Sequence, residues 1–336
     1  MMTKRSFVLF LVFVLVVSVA LVGCSKQEAK PEGKSDAAKG EKKPEVIQLS
    51  FSTGGTAGTY YPLGGAIANV WSEKIEGVQV TIQPSGASVE NIRLLGNGEA
   101  DIVMAMNNIA DDAWNGKGAF EGKPIKNFRA VGVVYPEIIQ GVAVKESGIK
   151  TVADLKGKRV ALGPVGSGTA ATTPHILKAY GLTPDDVQAN YDTFGDAVAK
   201  MKDGHLDAGW NVLAAPAAAI VDLMTAKEVV FLEIKGEQLK KLQEQFPLVA
   251  PHVIPADTYK GYPEIHTIAL QAVLYVREDL DEDLVYNLTK VMYENTAEIA
   301  KGHARGDQIK LENALNGVTT DLHPGAEKYY REKGIL

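Results

Sequence analysis

The sequence predicts an α/β protein of two lobes, and three observations carry that prediction. Strand-like apolar runs repeatedly end in Gly/Ser/Thr loops that open amphipathic helices, the alternation of an open α/β sheet. The first such loop lies within Phe51–Trp71, and its logic returns about 110 residues later at Gly166–Thr169. The body from about residue 45 to 336 is also too long for one average core.

Val46, Ile47, Leu49 and Phe51 form the first strand-like run. Gly54, Gly55 and Gly58 then let the backbone turn tightly and approach a ligand. Pro62 suits the first turn of a helix whose face is Leu63, Ile67, Val70 and Trp71. Free N–H groups at that helix start, with the hydroxyls of Thr53, Thr56 and Thr59, make an anion site, the alternative being a plain Gly-rich turn. Val78–Gln83 alternates like a strand, and Pro84–Ser88 leads into a helix faced by Val89, Ile92 and Leu95. Asp101–Met106 is a third strand, with Asn107 and Asn108 before a helix over 109–114. Ser88 and Asn107 also suit helix capping alone. Three successive strands thus end in loops that share one sheet edge, where ligands bind in such sheets.

Phe128–Val134 and Ile138–Val144 read as two strands interrupted at Tyr135-Pro136. Thr151 caps a short helix that Gly157 ends, and Val160–Leu162 starts a buried strand. Gly163–Thr169 opens a helix through Ile176, Leu177 and Tyr180. It lacks the third glycine of G-x-G-x-x-G and the Gly-Lys-Ser/Thr of a P-loop, so it is no nucleotide fingerprint and is equally a capped turn. Strands follow at Val187–Tyr191, Leu206–Val212, Val229–Ile234 and Thr267–Val276, the last returning to the first lobe. Helices are expected around Ala197–Met201, after Pro216, across Leu284–Ala300 and after His323-Pro324.

The chain opens with Lys4 and Arg5, sixteen residues apolar except for Ser18, and Leu21-Val22-Gly23-Cys24. That order describes a secretory signal, and the last four residues resemble a bacterial lipobox, whose cysteine is lipidated after cleavage at 1–23. Cys24 is the one cysteine, so it is expected to carry the acyl anchor to the lipid bilayer, with no internal disulfide. Residues 24–44 hold mixed charge and almost nothing apolar, the composition of a disordered tether. Loss of Lys4 and Arg5 takes the formal charge from −6 to −8, which argues against nucleic acid. The six histidines are scattered, H-E-x-x-H and G-x-S-x-G are absent, and no metal or cofactor is expected. Asp111-Asp112 and Asp185-Asp186 suit helix starts through the dipole. The balance favours a binder over an enzyme.

Thr53-Gly54-Gly55-Thr56 with Tyr60-Tyr61-Pro62, Ser88-Val89-Glu90-Asn91, Asp154–Val160, Gly166-Ser167-Gly168-Thr169 and Leu322-His323-Pro324-Gly325-Ala326 together resemble the TAXI family. These are extracytoplasmic receptors of tripartite ATP-independent periplasmic (TRAP) transporters. The resemblance implies a type II periplasmic-binding-protein fold, two α/β lobes joined by a two-strand hinge. Lobe one would be 45–137 plus 264–336, and lobe two 138–263. It implies a TRAP permease in the membrane as partner, and as ligand glutamate, glutamine, a dicarboxylate or a keto acid. Thr53, Gly55, Thr56, Tyr60, Ser85 and Asn107 would line one wall, Tyr135 the hinge, and Ser167, Gly168, Thr169 and Asn211 the other wall. Ala170, where many relatives carry an acid, implies a ligand without an ammonium group, and Asn107-Asn108 replaces a frequent Ser-Asp. No arginine projects from these loops, so hydroxyls and backbone N–H groups are expected to hold the carboxylate. A receptor lipoprotein for an ABC importer, a sensor subunit and an enzyme on the same fold are the competing readings.

Overall fold

The computed structural model describes residues 46–336, so the expected signal, the tether and Cys24 lie outside the described residues. One twisted sheet organises the body. Strand β1 (Ile47–Ser52) leads to helix α1 (Tyr60–Lys74), β2 (Val78–Gln83), α2 (Ser88–Gly96), β3 (Ile102–Met106) and α3 (Asn107–Asn115). Here β1 lies between β2 and β3, all parallel. This is the right place for apolar strands buried on both faces, and β3 is buried at all five positions.

The chain next enters β4 (Phe128–Val144), a single 17-residue strand where the sequence suggested two. Pro136 stays inside it because a proline is tolerated beside a bulge: the register to the partner strand skips Val134 and Val131. Then come β5 (Arg159–Ala161), α4 (Gly168–Ala179), β6 (Gln188–Asn190), α5 (Phe194–Lys202), β7 (Ala208–Leu213), α6 (Ala218–Met224), β8 (Val229–Leu232), α7 (Gly236–Gln245) and β9 (Ala250–Ile254). The parallel set β6-β5-β7 joins the antiparallel edge of β4, whose far end also pairs with β8. Strand β10 (Ile265–Arg277) is antiparallel to β3, β4 and β9. Long strands β4 and β10 therefore run through both halves of the sheet, the two-strand connection of a type II periplasmic-binding-protein fold.

Helix α8 (Glu282–Glu294) and helix α9 (Thr296–Gly302) replace the one long helix expected across 284–300. Asn295 leaves helical geometry at φ −124°, and its side chain bonds back to the Val291 carbonyl at 2.8 Å. Helix α10 (Pro324–Glu332) is capped by His323, whose Nδ1 accepts the Gly325 N–H at 3.2 Å. A β-carbon on Gly325 would stand 2.2 Å from the Glu282 carbonyl, so α10 lies against the start of α8 only because that residue is glycine. The apolar faces of α1, α8 and α10 form one core with the sheet, and a second core runs from α2 and α3 to α4 and α7. No helix among the described residues is long and apolar enough to cross a membrane.

Candidate functional site

The parallel strands of both halves aim their carboxyl ends at one cavity of about 500 Å³. After β1 come Gly54–Thr59, after β2 Pro84–Ala87, after β5 Pro164, Val165 and Ser167, after β6 Tyr191 and Thr193, and β7 ends at Leu213; all of these line it. The crevice at strand carboxyl ends is where the geometry of open α/β sheets leaves helix-start N–H groups facing outward.

Asn91 holds the first half of this edge in register. Its Nδ2 donates to the Thr53 carbonyl at 2.6 Å and the Met104 carbonyl at 2.7 Å, and its Oδ1 accepts the Ser85 hydroxyl at 2.6 Å. One buried amide thus ties the ends of β1 and β3 to the loop after β2. Ser88 opens α2 without capping it, and its Oγ accepts the Met106 N–H at 3.1 Å.

The second loop is tighter. The Ser167 hydroxyl accepts the Ala170 N–H at 3.0 Å and so caps α4. Gly163 holds φ 107°, with Thr169 pressed where a β-carbon would be. The two halves meet here: the Gly166 carbonyl accepts the N–H groups of Val89 and Glu90, at 3.0 and 3.1 Å, at the start of α2. Those two N–H groups are therefore taken. Gly168 stands beneath Met106 with no room for a side chain.

The floor contains an acid. Glu137 lines the cavity yet is only 3% exposed. Tyr60 Oη donates to its Oε2 at 2.7 Å and Tyr135 Oη to its Oε1 at 3.4 Å. Burial, only partly offset by these two bonds, pushes its pKa up to about 8. The tyrosines are pushed up as well, by burial first and then by the neighbouring carboxyl. No lysine, arginine or histidine is among the residues lining the cavity.

Of the residues singled out from sequence, Gly55, Thr56, Tyr60, Ser85, Tyr135, Ser167, Gly168 and Thr169 are brought together on the cavity wall. Three are placed elsewhere. Thr53 is fully buried and its hydroxyl donates to the Gln83 carbonyl at 2.8 Å. Asn107 braces the sheet, donating to the Gly317 carbonyl at 3.0 Å and accepting the Gln271 N–H at 3.1 Å. Asn211 is buried in β7, paired with Gln140. Sequence reasoning passed over Glu137, although it and Arg129 are the charged residues in an apolar run of 17. Thr59, read from sequence as an anion-site hydroxyl, and Ser88, read as a helix-opening residue, line the cavity as well, whereas Phe194 was passed over and carries no mark in sequence.

The model of the NMT1-like family matches residues 51–334. The chain belongs to the NMT1-like family. The resemblance to TAXI receptors is corrected by that match, and the TRAP permease expected with it is withdrawn. The physical reason is visible in the motifs. His323-Pro324-Gly325-Ala326 serves as a helix cap and a close helix contact, and Gly/Ser/Thr loops serve any sheet of this topology. Among solved structures, PhnD1 from Prochlorococcus marinus in complex with methylphosphonate is similar at a TM-score of 0.54 and 11% identity, covering 88% of this chain and 100% of that one. A protein from Bordetella bronchiseptica is similar at 0.51 and 20% identity, over 84% and 85%. A histidine-bound ABC uptake transporter substrate-binding protein from Streptococcus pneumoniae is similar at 0.49 and 15% identity, over 79% and 94%. The first two likenesses establish the fold.

Proposed function

We propose that this protein is an extracytoplasmic solute-binding protein that captures a small organic molecule in the cavity between its halves and delivers it to an importer of the ABC type. The observation that carries the reading is the cavity itself: about 500 Å³, enclosed by strand-end loops of both halves and lined by hydroxyls, backbone and aromatic rings. The proposed lobes are 45–137 plus 264–336 and 138–263, closing on the ligand about β4 and β10. The wall residues Gly55, Thr56, Tyr60, Ser85, Ser167, Gly168 and Thr169 are the proposed ligand contacts. The N–H groups of Gly168 and Thr169 at the start of α4 are left by the Ser167 cap for an anionic end of the ligand. With the TRAP partner withdrawn, an ABC importer is the partner class that the fold and the expected Cys24 anchor still support. The nature of the cavity, without an assembled nucleophile or metal cluster among the described residues, favours binding over catalysis.

Thermal unfolding of the chain against amino acids, dicarboxylates, sulfonates and phosphonates tests this. A ligand at about 1,000-fold its dissociation constant adds about 4 kcal/mol and raises the midpoint by several degrees. A flat response to every class would sink the receptor reading. Uptake that continues in membrane vesicles without ATP would sink the ABC partner.

A further inference from the structure

Glu137 is a buried carboxyl that lines a ligand cavity and has no cation. Among the described residues no lysine, arginine or histidine forms an ion pair with it. The charged and titratable groups around it come from four segments. Tyr60 on α1 and Tyr135 on β4 donate to its two oxygens. Arg305, in the turn after α9, donates its Nη2 to the Ala215 carbonyl at 2.6 Å, and its charge slightly offsets the rise that burial gives the Tyr135 hydroxyl, but it forms no ion pair with Glu137. Tyr259, beyond β9, is bonded to Gln140 and to the Ala217 N–H. Each carboxyl oxygen therefore already accepts one hydroxyl, and what is missing on the cavity side is a positive donor.

Resting on the solute-binding reading, we propose that Glu137 is the specificity-determining residue of the cavity and that the ligand carries an ammonium or other protonated amine which pairs with it. A buried carboxylate meeting its counter-ion in a dry cavity discriminates strongly, because an analogue without the amine leaves the charge unpaired or the acid protonated. The opposite end of the ligand meets the hydroxyls and helix-start N–H groups of the rim. Taken together, these favour a zwitterion such as an amino acid over a dicarboxylate or keto acid. The contrary expectation from Ala170 rested on the corrected resemblance; Ala170 is not on the cavity wall, and the acid comes from the floor instead.

The pairing has a proton attached to it. Glu137, with no counter-ion beside it, is held to a pKa of about 8, so below that pH a cationic ligand must displace a proton to form the pair. Affinity for an amine ligand then weakens by roughly tenfold per pH unit below about 8 and is flat just above it.

The test is calorimetry on the full chain with the proteinogenic amino acids and, beside them, 2-oxoglutarate and succinate, in buffers of different ionisation enthalpy. The expected result is binding by an amine-bearing member, release of close to one proton at pH 7, and weakening by about a hundredfold or more in Glu137→Gln. Tyr60→Phe, which keeps the carboxyl, should retain the preference for the amine. Tight binding of 2-oxoglutarate or succinate with the amines silent overturns the inference and leaves the receptor reading standing. Amine binding without proton release, and unchanged in a folded Glu137→Gln protein, also overturns it. Silence of every compound here, and of the sulfonates and phosphonates, removes both.

Discussion

The two helix-opening loops look alike in sequence and are built differently. The loop after β1 feeds α1 without a side-chain cap, and Gly55, Thr56 and Ala57 stand exposed at the cavity mouth. A β-carbon on Gly55 would touch nothing within 4 Å. The loop after β5 is pressed at three points, by Thr169 against Gly163, by Met106 against Gly168, and by the Gly166 carbonyl against the start of α2, with only Val165 left exposed between them. Beneath them the asymmetry continues: Tyr60, the first residue of α1, reaches Glu137, whereas no residue of the second loop bonds it. The same Gly/Ser/Thr composition therefore gives one open wall and one joint packed against the start of α2. The difference lies in what the other half presses against each.

The largest expected effect comes from the floor. Burial raises Glu137 from 4.5 to about 8, so the folded state holds its proton more tightly than the unfolded chain does. The stability this provides is complete below pH 4.5 and is lost as pH rises through about 8. Glu137→Gln is expected to leave stability near wild type at pH 4.5 and to raise it on the order of 4 kcal/mol at pH 9, measured by denaturant unfolding without ligand. A variant destabilised equally at both pH values would show the acid to be compensated. Next, Gly163→Ala combines a positive φ with a β-carbon 2.6 Å from Thr169, and should lower stability by about 3 kcal/mol. Ser167→Ala removes the α4 cap and should cost about 1 kcal/mol. At the other extreme, Gly55→Ala should change stability by less than about 0.5 kcal/mol. If Gly55→Ala and Gly163→Ala proved equally damaging by thermal unfolding, the contrast between the loops would fall.

Most strands and helices were legible because burial imposes period 2 or 3.6 on an apolar pattern, and β2 and β3 fall where Val78–Gln83 and Asp101–Met106 predicted them. The misses have local causes. Pro136 looks like a break when read alone, but a bulge in the facing register lets β4 continue. Leu284–Ala300 looks like one helix by its apolar spacing, and Asn295 ends it by bonding back to its own last turn. Among the site residues, the Gly/Ser/Thr loops were visible because their glycines and hydroxyls are concentrated in sequence. Asn107 and Asn211 were as plausible by type, yet the fold gives one a bracing role and buries the other.

From the sequence alone came the fold class, the order of most strands and loops, and the sheet edge at which the cavity opens. These follow from short-range periodicity and from the rule that strand ends of an open sheet share an edge. The tertiary structure alone decided the chemistry of the floor. Glu137 and Tyr60 stand 77 residues apart and become partners only when the first residue of α1 meets β4. Whether a carboxyl is solvated, paired or stranded depends on what the fold brings around it, and no pattern along the chain records that.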